Sequence, residues 1–190
     1  MTDVLAGPGA GSPSILASIR GRLVAFGAIM IYALVALGLR LVMARVFFLS
    51  GQAKIEGPSV LIHLNVPALD FSMILPVQIK PTTFQMFETQ YAALPIPPAI
   101  AAVIFAYAEF VLPICLVLGF ATRFAALSLL VMTVLLQVYV LPAMWWSAHV
   151  YWLSILAVLV CVGPGAVSID ALIRVVYRWD RHRPSHGRPT

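Results

Sequence analysis

Residues 98–144 read PAIAAVIFAYAEFVLPICLVLGF-ATR-FAALSLLVMTVLLQVYVLPAM. Two apolar runs, 98–120 and 124–144, each reach the ~20 helical residues that cross a hydrocarbon core. Only Ala121, Thr122 and Arg123 separate them. Three residues allow nothing but a tight antiparallel helical hairpin. This stretch decides the fold class, an all-α membrane protein.

Working outward, a first apolar run covers about 24–50 and a fourth covers about 148–163. Pro142 ends or kinks the third span, and Gly163-Pro164-Gly165 stops the fourth. The expectation is a four-transmembrane-helix antiparallel bundle over 23–166. A disordered cytoplasmic tail (1–22) precedes it, an outer loop (51–97) joins the first two spans, and a basic segment (167–190) follows. Composition agrees: 62% of the 190 residues are hydrophobic and 10% charged, against about 25% charged in soluble domains. The net charge of +5 therefore reflects placement against lipid and implies no nucleic-acid partner. Residues 1–19 lack an early basic cluster and the following run has no small-residue cleavage site, so it reads as a retained anchor.

Basic residues orient the bundle. With the N-terminus cytoplasmic, Arg20, Arg22, Arg123, Arg174, Arg178, Arg181, Arg183 and Arg188 fall inside, and only Lys54 and Lys80 fall outside. The positive-inside rule selects that arrangement, with both termini cytoplasmic. Trp145, Trp146, Tyr151 and Trp152 then form an aromatic belt at the outer interface. In the outer loop, Thr82 or Thr83 can cap a short helix with Phe84, Phe87 and Tyr91 on one side. After the fourth span, Ser168 can cap an amphipathic helix. Leu172, Val175, Val176 and Trp179 share one side of it, and Arg174, Arg178 and Arg181 meet anionic headgroups.

Ionisable residues inside spans are costly and are the first candidates for function. Arg40 and Arg45 lie in the first span, Glu109 in the second, Gln137 in the third and His149 at the start of the fourth. At ~1.5 Å per residue, Arg40 and Glu109 come to nearly equal depth below the outer surface. The expectation is an Arg40–Glu109 ion pair in an intramembrane polar centre with Gln137 and Arg45. Pro113 removes the hydrogen bond to the carbonyl of Glu109, so the second span should bend there beside a small polar cavity. His149 lies four residues after Trp145 and three before Trp152, a candidate quinone contact or proton relay if one helical face carries all three. Otherwise it is an interfacial residue. Met30, Met43, Met132 and Met144 read as packing residues, and no metal-ligand set, nucleophile elbow or phosphate loop appears.

These residues also carry a family resemblance. Arg40, Phe48, Ser50, Gly51 and Lys54 resemble the first-span signature of the DoxX family. Glu109, Gly119, Thr122 and Arg123 are similar to its second-span pattern, and Gly163, Pro164, Gly165, Ser168 and Asp170 to its ending. The resemblance covers roughly residues 36 to 172 and implies a four-helix protein of the bacterial inner membrane. It also implies kinship with a small-subunit type associated with thiosulfate:quinone oxidoreductase, and with membrane-bound redox complexes. Three readings follow. The first is a redox-linked subunit binding a quinone or similar molecule near the Arg–Glu pair. The second is a non-catalytic scaffold recruiting another membrane or periplasmic protein, or a second copy. The third is a small-solute or metal transporter, disfavoured because four spans are few and no inverted repeat is visible.

Overall fold

The computed structural model describes residues 15–62 and 71–181. Its elements are α1 (Ile15–Lys54), β1 (Ile55–Glu56), β2 (Ser59–Ile62), β3 (Phe71–Ile74), β4 (Gln78–Ile79), α2 (Pro81–Thr89), α3 (Pro98–Leu118), α4 (Thr122–Tyr139), α5 (Val150–Val162) and α6 (Ile169–Arg181). Among the described residues, four helical segments are long and apolar enough to cross a membrane: Ser18–Lys54, Pro98–Leu118, Thr122–Tyr139 and Pro142–Val162. The chain is thus an all-α membrane protein with minor sheet. The first helix takes in residues 15–22, which composition alone assigned to a tail.

α1, α3, α4 and α5 pack in that cyclic order. Small residues make the seams: Ala36 and Ala44 on α1, Ala101, Ala102 and Ala106 on α3, Ala125 and Ala126 on α4 are all buried. Small side chains let helix backbones approach closely where the surroundings offer no hydrophobic drive of their own. Larger core residues, Met43, Phe47, Leu116, Leu129, Leu156 and Leu159, fill the centre.

The α3–α4 turn defines one end of the bundle, the hairpin end. Gly119 adopts φ +68 and closes the last turn of α3 through its N–H to the Leu116 carbonyl, 3.1 Å. Ala121 follows with φ 45, an uncommon conformation for a residue with a Cβ. At the opposite, loop end, segment 51–97 is structured over its described residues. β1 pairs with β4 and β2 with β3, both antiparallel, with Ile55 opposite Ile79 and Ser59 opposite Ile74. Gln52, on the last turn of α1, substitutes for a peptide group. Its Nε2 donates to the Ile74 carbonyl (3.1 Å), and its Oε1 accepts from the Ile74 N–H (2.6 Å).

Helix α2 starts at Pro81 with no side-chain cap. Thr83 is buried instead, and its hydroxyl donates to the Lys54 carbonyl at 3.0 Å. The expected aromatic side does form: Phe87 stacks on Tyr91 (centroids 4.8 Å) and meets Phe105 of α3 edge-on (5.5 Å). Gln85 and Glu88 face outward. Ser168 caps α6 as its sequence position suggests, its Oγ accepting from Ala171 N–H at 3.0 Å.

Candidate functional site

Glu109 is buried on α3, and its partner is Lys54, with Nζ to Oε2 at 2.5 Å. Lys54 also donates to Ser50 Oγ (2.8 Å) and to the Ser50 carbonyl (3.3 Å). A four-residue step on a helix puts Ser50 and Lys54 on one face, so the ammonium is held from its own helix as well as by the acid. The expected Arg40–Glu109 pair is not formed. The depth estimate assumed that α1 and α3 end at the same level. Instead, a Cβ built on Gly51 would meet the Glu109 carbonyl atoms at 2.8 Å, and one built on Gly119 would meet Arg40. These contacts put Glu109 at the level of Gly51 and Arg40 at the level of Gly119. The first turns of α3 therefore run past the end of α1, where Phe87 of α2 covers them at Phe105.

Pro113 lies inside a continuous α3. The Glu109 carbonyl that loses its intrahelical donor there lies against Gly51 of α1. Close helix–helix approach at a residue with no side chain fills the space assigned from sequence to a polar cavity. Tyr91 completes this end. Burial first, and the Glu109 charge second, push its phenol above the usual tyrosine range.

Arg40 forms a second polar node at the hairpin end. It is fully buried and donates from Nη2 to the Val167 carbonyl at 2.6 Å, while Nε and Nη1 have no hydrogen-bond partner among the described residues. Asp170 is the acid whose charge acts on it, but the Asp170 oxygens are engaged elsewhere. They accept from Ala121 N–H (2.9 Å) and Thr122 N–H (3.1 Å), capping α4 from a distant part of the chain. The Asp170 N–H in turn donates to the Gly119 carbonyl at 3.0 Å.

Gln137 and His149 form a third node, between α4 and α5. His149 Nδ1 lies 2.6 Å from Gln137 Oε1, and Gln137 Nε2 donates to the Pro142 carbonyl at 2.9 Å. His149 is buried against Trp152, with ring centroids 5.3 Å apart. Trp145 does not join them. A π-helical turn, Trp145–His149, precedes α5 and shifts the phase of the helix, and Trp145 packs edge-on to Trp146 instead.

A family model for DoxX matches residues 35–142, more than half of the chain. The chain belongs to the DoxX family. No curated protein and no solved structure matches it significantly.

In this DoxX protein the positions that carried the sequence resemblance thus divide between the two ends of the bundle. Gly51, Lys54 and Glu109 form one set, and Arg40, Gly119 and Asp170 form the other. Arg123 donates to the Cys161 carbonyl at 3.3 Å and lies where a Cβ on Gly163 would meet it at 3.1 Å. Gly165 (φ +79) packs on Ala33 and Ala36. Arg45 belongs to neither set, being exposed on α1. The single polar centre expected of Arg40, Glu109, Gln137 and Arg45 is therefore three separate nodes and one surface arginine. Among the described residues no group of His, Cys, Asp and Glu could hold a metal ion, and Cys115 and Cys161 are both free.

The polar roles of Thr83, Tyr91 and Gln52 were not singled out from the sequence. Thr83 and Gln52 bond groups 29 and 22 residues away, Tyr91 faces Glu109 of α3, and only the folding back of the loop brings these groups together. Ser50 and Lys54 did carry a local signal: a serine and a lysine four apart at the end of an apolar run.

Proposed function

We propose that this DoxX protein is a membrane subunit of a redox-linked complex, and that a quinone-type headgroup docks at His149. The observation that carries the reading is the His149–Gln137 contact. Gln137 Nε2 is committed to the Pro142 carbonyl, so the amide turns its oxygen toward the imidazole. An amide oxygen only accepts, and His149 Nδ1 must carry the proton. In the neutral ring, Nε2 is then left as the acceptor. A histidine with its tautomer fixed, flanked by Trp152 and closing a π turn, suits a hydroxyl-bearing aromatic ring arriving from the lipid. A quinone is the substrate class that carries electrons and protons together within a bilayer. The chain's own contribution is to orient the headgroup against Trp152 and to take a proton at His149 Nε2. The Lys54–Glu109 pair serves the bundle in this reading.

The test is quinone retention. Protein purified in mild detergent should carry quinone in its organic extract, and His149→Leu should reduce that content by about tenfold, the range of a lost positioned hydrogen bond and its packing. Wild-type protein without quinone, or equal retention in His149→Leu, defeats the reading.

The same proposal places the chain in the bacterial inner membrane with both termini cytoplasmic and the 51–97 segment outside. The arginine distribution supports it. A cysteine at exposed Glu88 should react with a membrane-impermeant maleimide in intact cells, and one at Arg188 should not.

A second reading is a non-catalytic scaffold. It is favoured by Glu109, whose charge Lys54 already compensates, and by the outward polar face of α2 at Gln85 and Glu88. If a partner co-purifies with the wild type but not with a Gln85→Ala/Glu88→Ala variant, while quinone content is unchanged, the scaffold reading stands.

A further inference from the structure

α6 has two unlike parts. Its first turn is fastened to the hairpin end. The Asp170 side chain caps α4 at Ala121 and Thr122, the Asp170 N–H bonds the Gly119 carbonyl, and the carbonyl of nearby Val167 is held by Arg40. Beyond that turn the apolar side chains are open to the surroundings: Leu172, Ile173 and Val176 are 63%, 49% and 60% exposed. With Ile169 they recur at steps of three, one and three, which gathers them on one helical face. Arginines recur at 174, 178 and 181 on the opposite side of the helical wheel. The hairpin itself is also basic: Arg123 is at its turn, and Asp170 is committed to capping.

We propose that α6 docks on an anionic lipid surface, with Leu172, Ile173 and Val176 in the acyl boundary and the arginines at the headgroups. Charge decides the occupant. A second copy would bring the same arginines against themselves, whereas an anionic bilayer offers opposite charge to the polar side and hydrocarbon to the apolar side. The fastening at Asp170 makes this docking a property of the whole bundle. It fixes where α6 starts relative to the hairpin end, so the helix meets the surface with its apolar face already directed. The inference needs the membrane fold but not the quinone reading, and its failure would leave quinone retention untouched.

The experiment uses the full chain in nanodiscs holding one copy each, with Cys115 and Cys161 replaced by alanine. A single cysteine at Leu172 or at Arg174 carries an environment-sensitive fluorophore. In discs of phosphatidylcholine with phosphatidylglycerol, the label at 172 should shift to the blue. Spin-labelled lipid should quench it about threefold more strongly than the label at 174, since only one face enters the acyl boundary. The difference should shrink in phosphatidylcholine alone, in molar salt, where the Debye length is ~3 Å, and in Arg178→Gln/Arg181→Gln. Equal quenching at the two positions overturns the proposal. So does equal behaviour in the two lipid mixtures, or a blue shift without quenching, which would mean that protein covers the face. The lipid and salt comparisons are each made on one labelled protein, so they overturn the proposal whether or not Arg178→Gln/Arg181→Gln folds.

Discussion

Lys54 Nζ is 2.5 Å from Glu109 Oε2, and the two side chains are 10% and 3% exposed. They join the last residue of α1 to the middle of α3 across 55 positions of sequence. A buried pair of this kind contributes little compared with an apolar replacement of the same volume, but losing one partner strands the other charge. Lys54→Met and Glu109→Gln should each destabilise by about 3–5 kcal/mol, near the usual cost of breaking a buried pair. The double variant Lys54→Met/Glu109→Leu should recover most of that loss. Thermal unfolding in detergent would show it; additive losses in the double variant would mean the two groups do not act as a pair.

Gly51 lies where the backbones of α1 and α3 approach closely. A methyl group there would meet the Glu109 carbonyl carbon and oxygen at 2.8 Å, and backbone cannot swing aside as a side-chain end can. Gly51→Ala should cost about 1–3 kcal/mol, the range for overpacking a fitted core. Gly38, with nothing within 4 Å of its added Cβ, provides the control. Gly38→Ala should leave the midpoint unchanged or raise it slightly. A Gly51→Ala protein as stable as Gly38→Ala would show that the seam yields.

Asp170 accepts two backbone N–H groups at the start of α4, at 2.9 and 3.1 Å. Asp170→Ala leaves both donors without that acceptor and should cost about 1–2 kcal/mol, as a lost N-cap does. Hydrogen exchange should localise the effect to the first turn of α4 and the first turn of α6. Uniform loss of protection across the bundle would count against a capping role.

Tyr91 lies outside the spans, and its phenol is pushed up by burial and by the Glu109 charge. A tyrosine whose folded value is raised ionises first in the unfolded chain. Its contribution is therefore complete below about pH 10, the ordinary tyrosine value, and is lost as pH rises through the folded value. Melting temperature should fall more steeply above that pH in the wild type than in Tyr91→Phe. Parallel curves for the two proteins would rule the effect out.

Most of the architecture was legible from hydropathy. The hairpin of residues 98–144, the fourth span and the amphipathic α6 all follow from run length, from the three-residue turn and from glycine and serine punctuation. A lipid solvent imposes this legibility, because every spanning backbone must be helical and every spanning helix apolar. Residue types in the site were legible too. Arg40, Glu109, Gln137 and His149 were recognisable as polar groups within spans, where such groups are rare.

Which of them meet was a different matter. Run length gives a residue's position along its own helix. It does not give the axial offset between two helices, and one turn of offset changes every partner. That offset was set by Gly51 against the Glu109 carbonyl and by Gly119 against Arg40, contacts between residues far apart in the chain. The result gave Glu109 to Lys54, Arg40 to the Val167 carbonyl, and Gln137 to His149. Hydropathy settled the helices and their solvent, because burial in lipid acts on each span separately. The polar partners waited on packing, because a short side-chain contact exists only once the helices have chosen their offset.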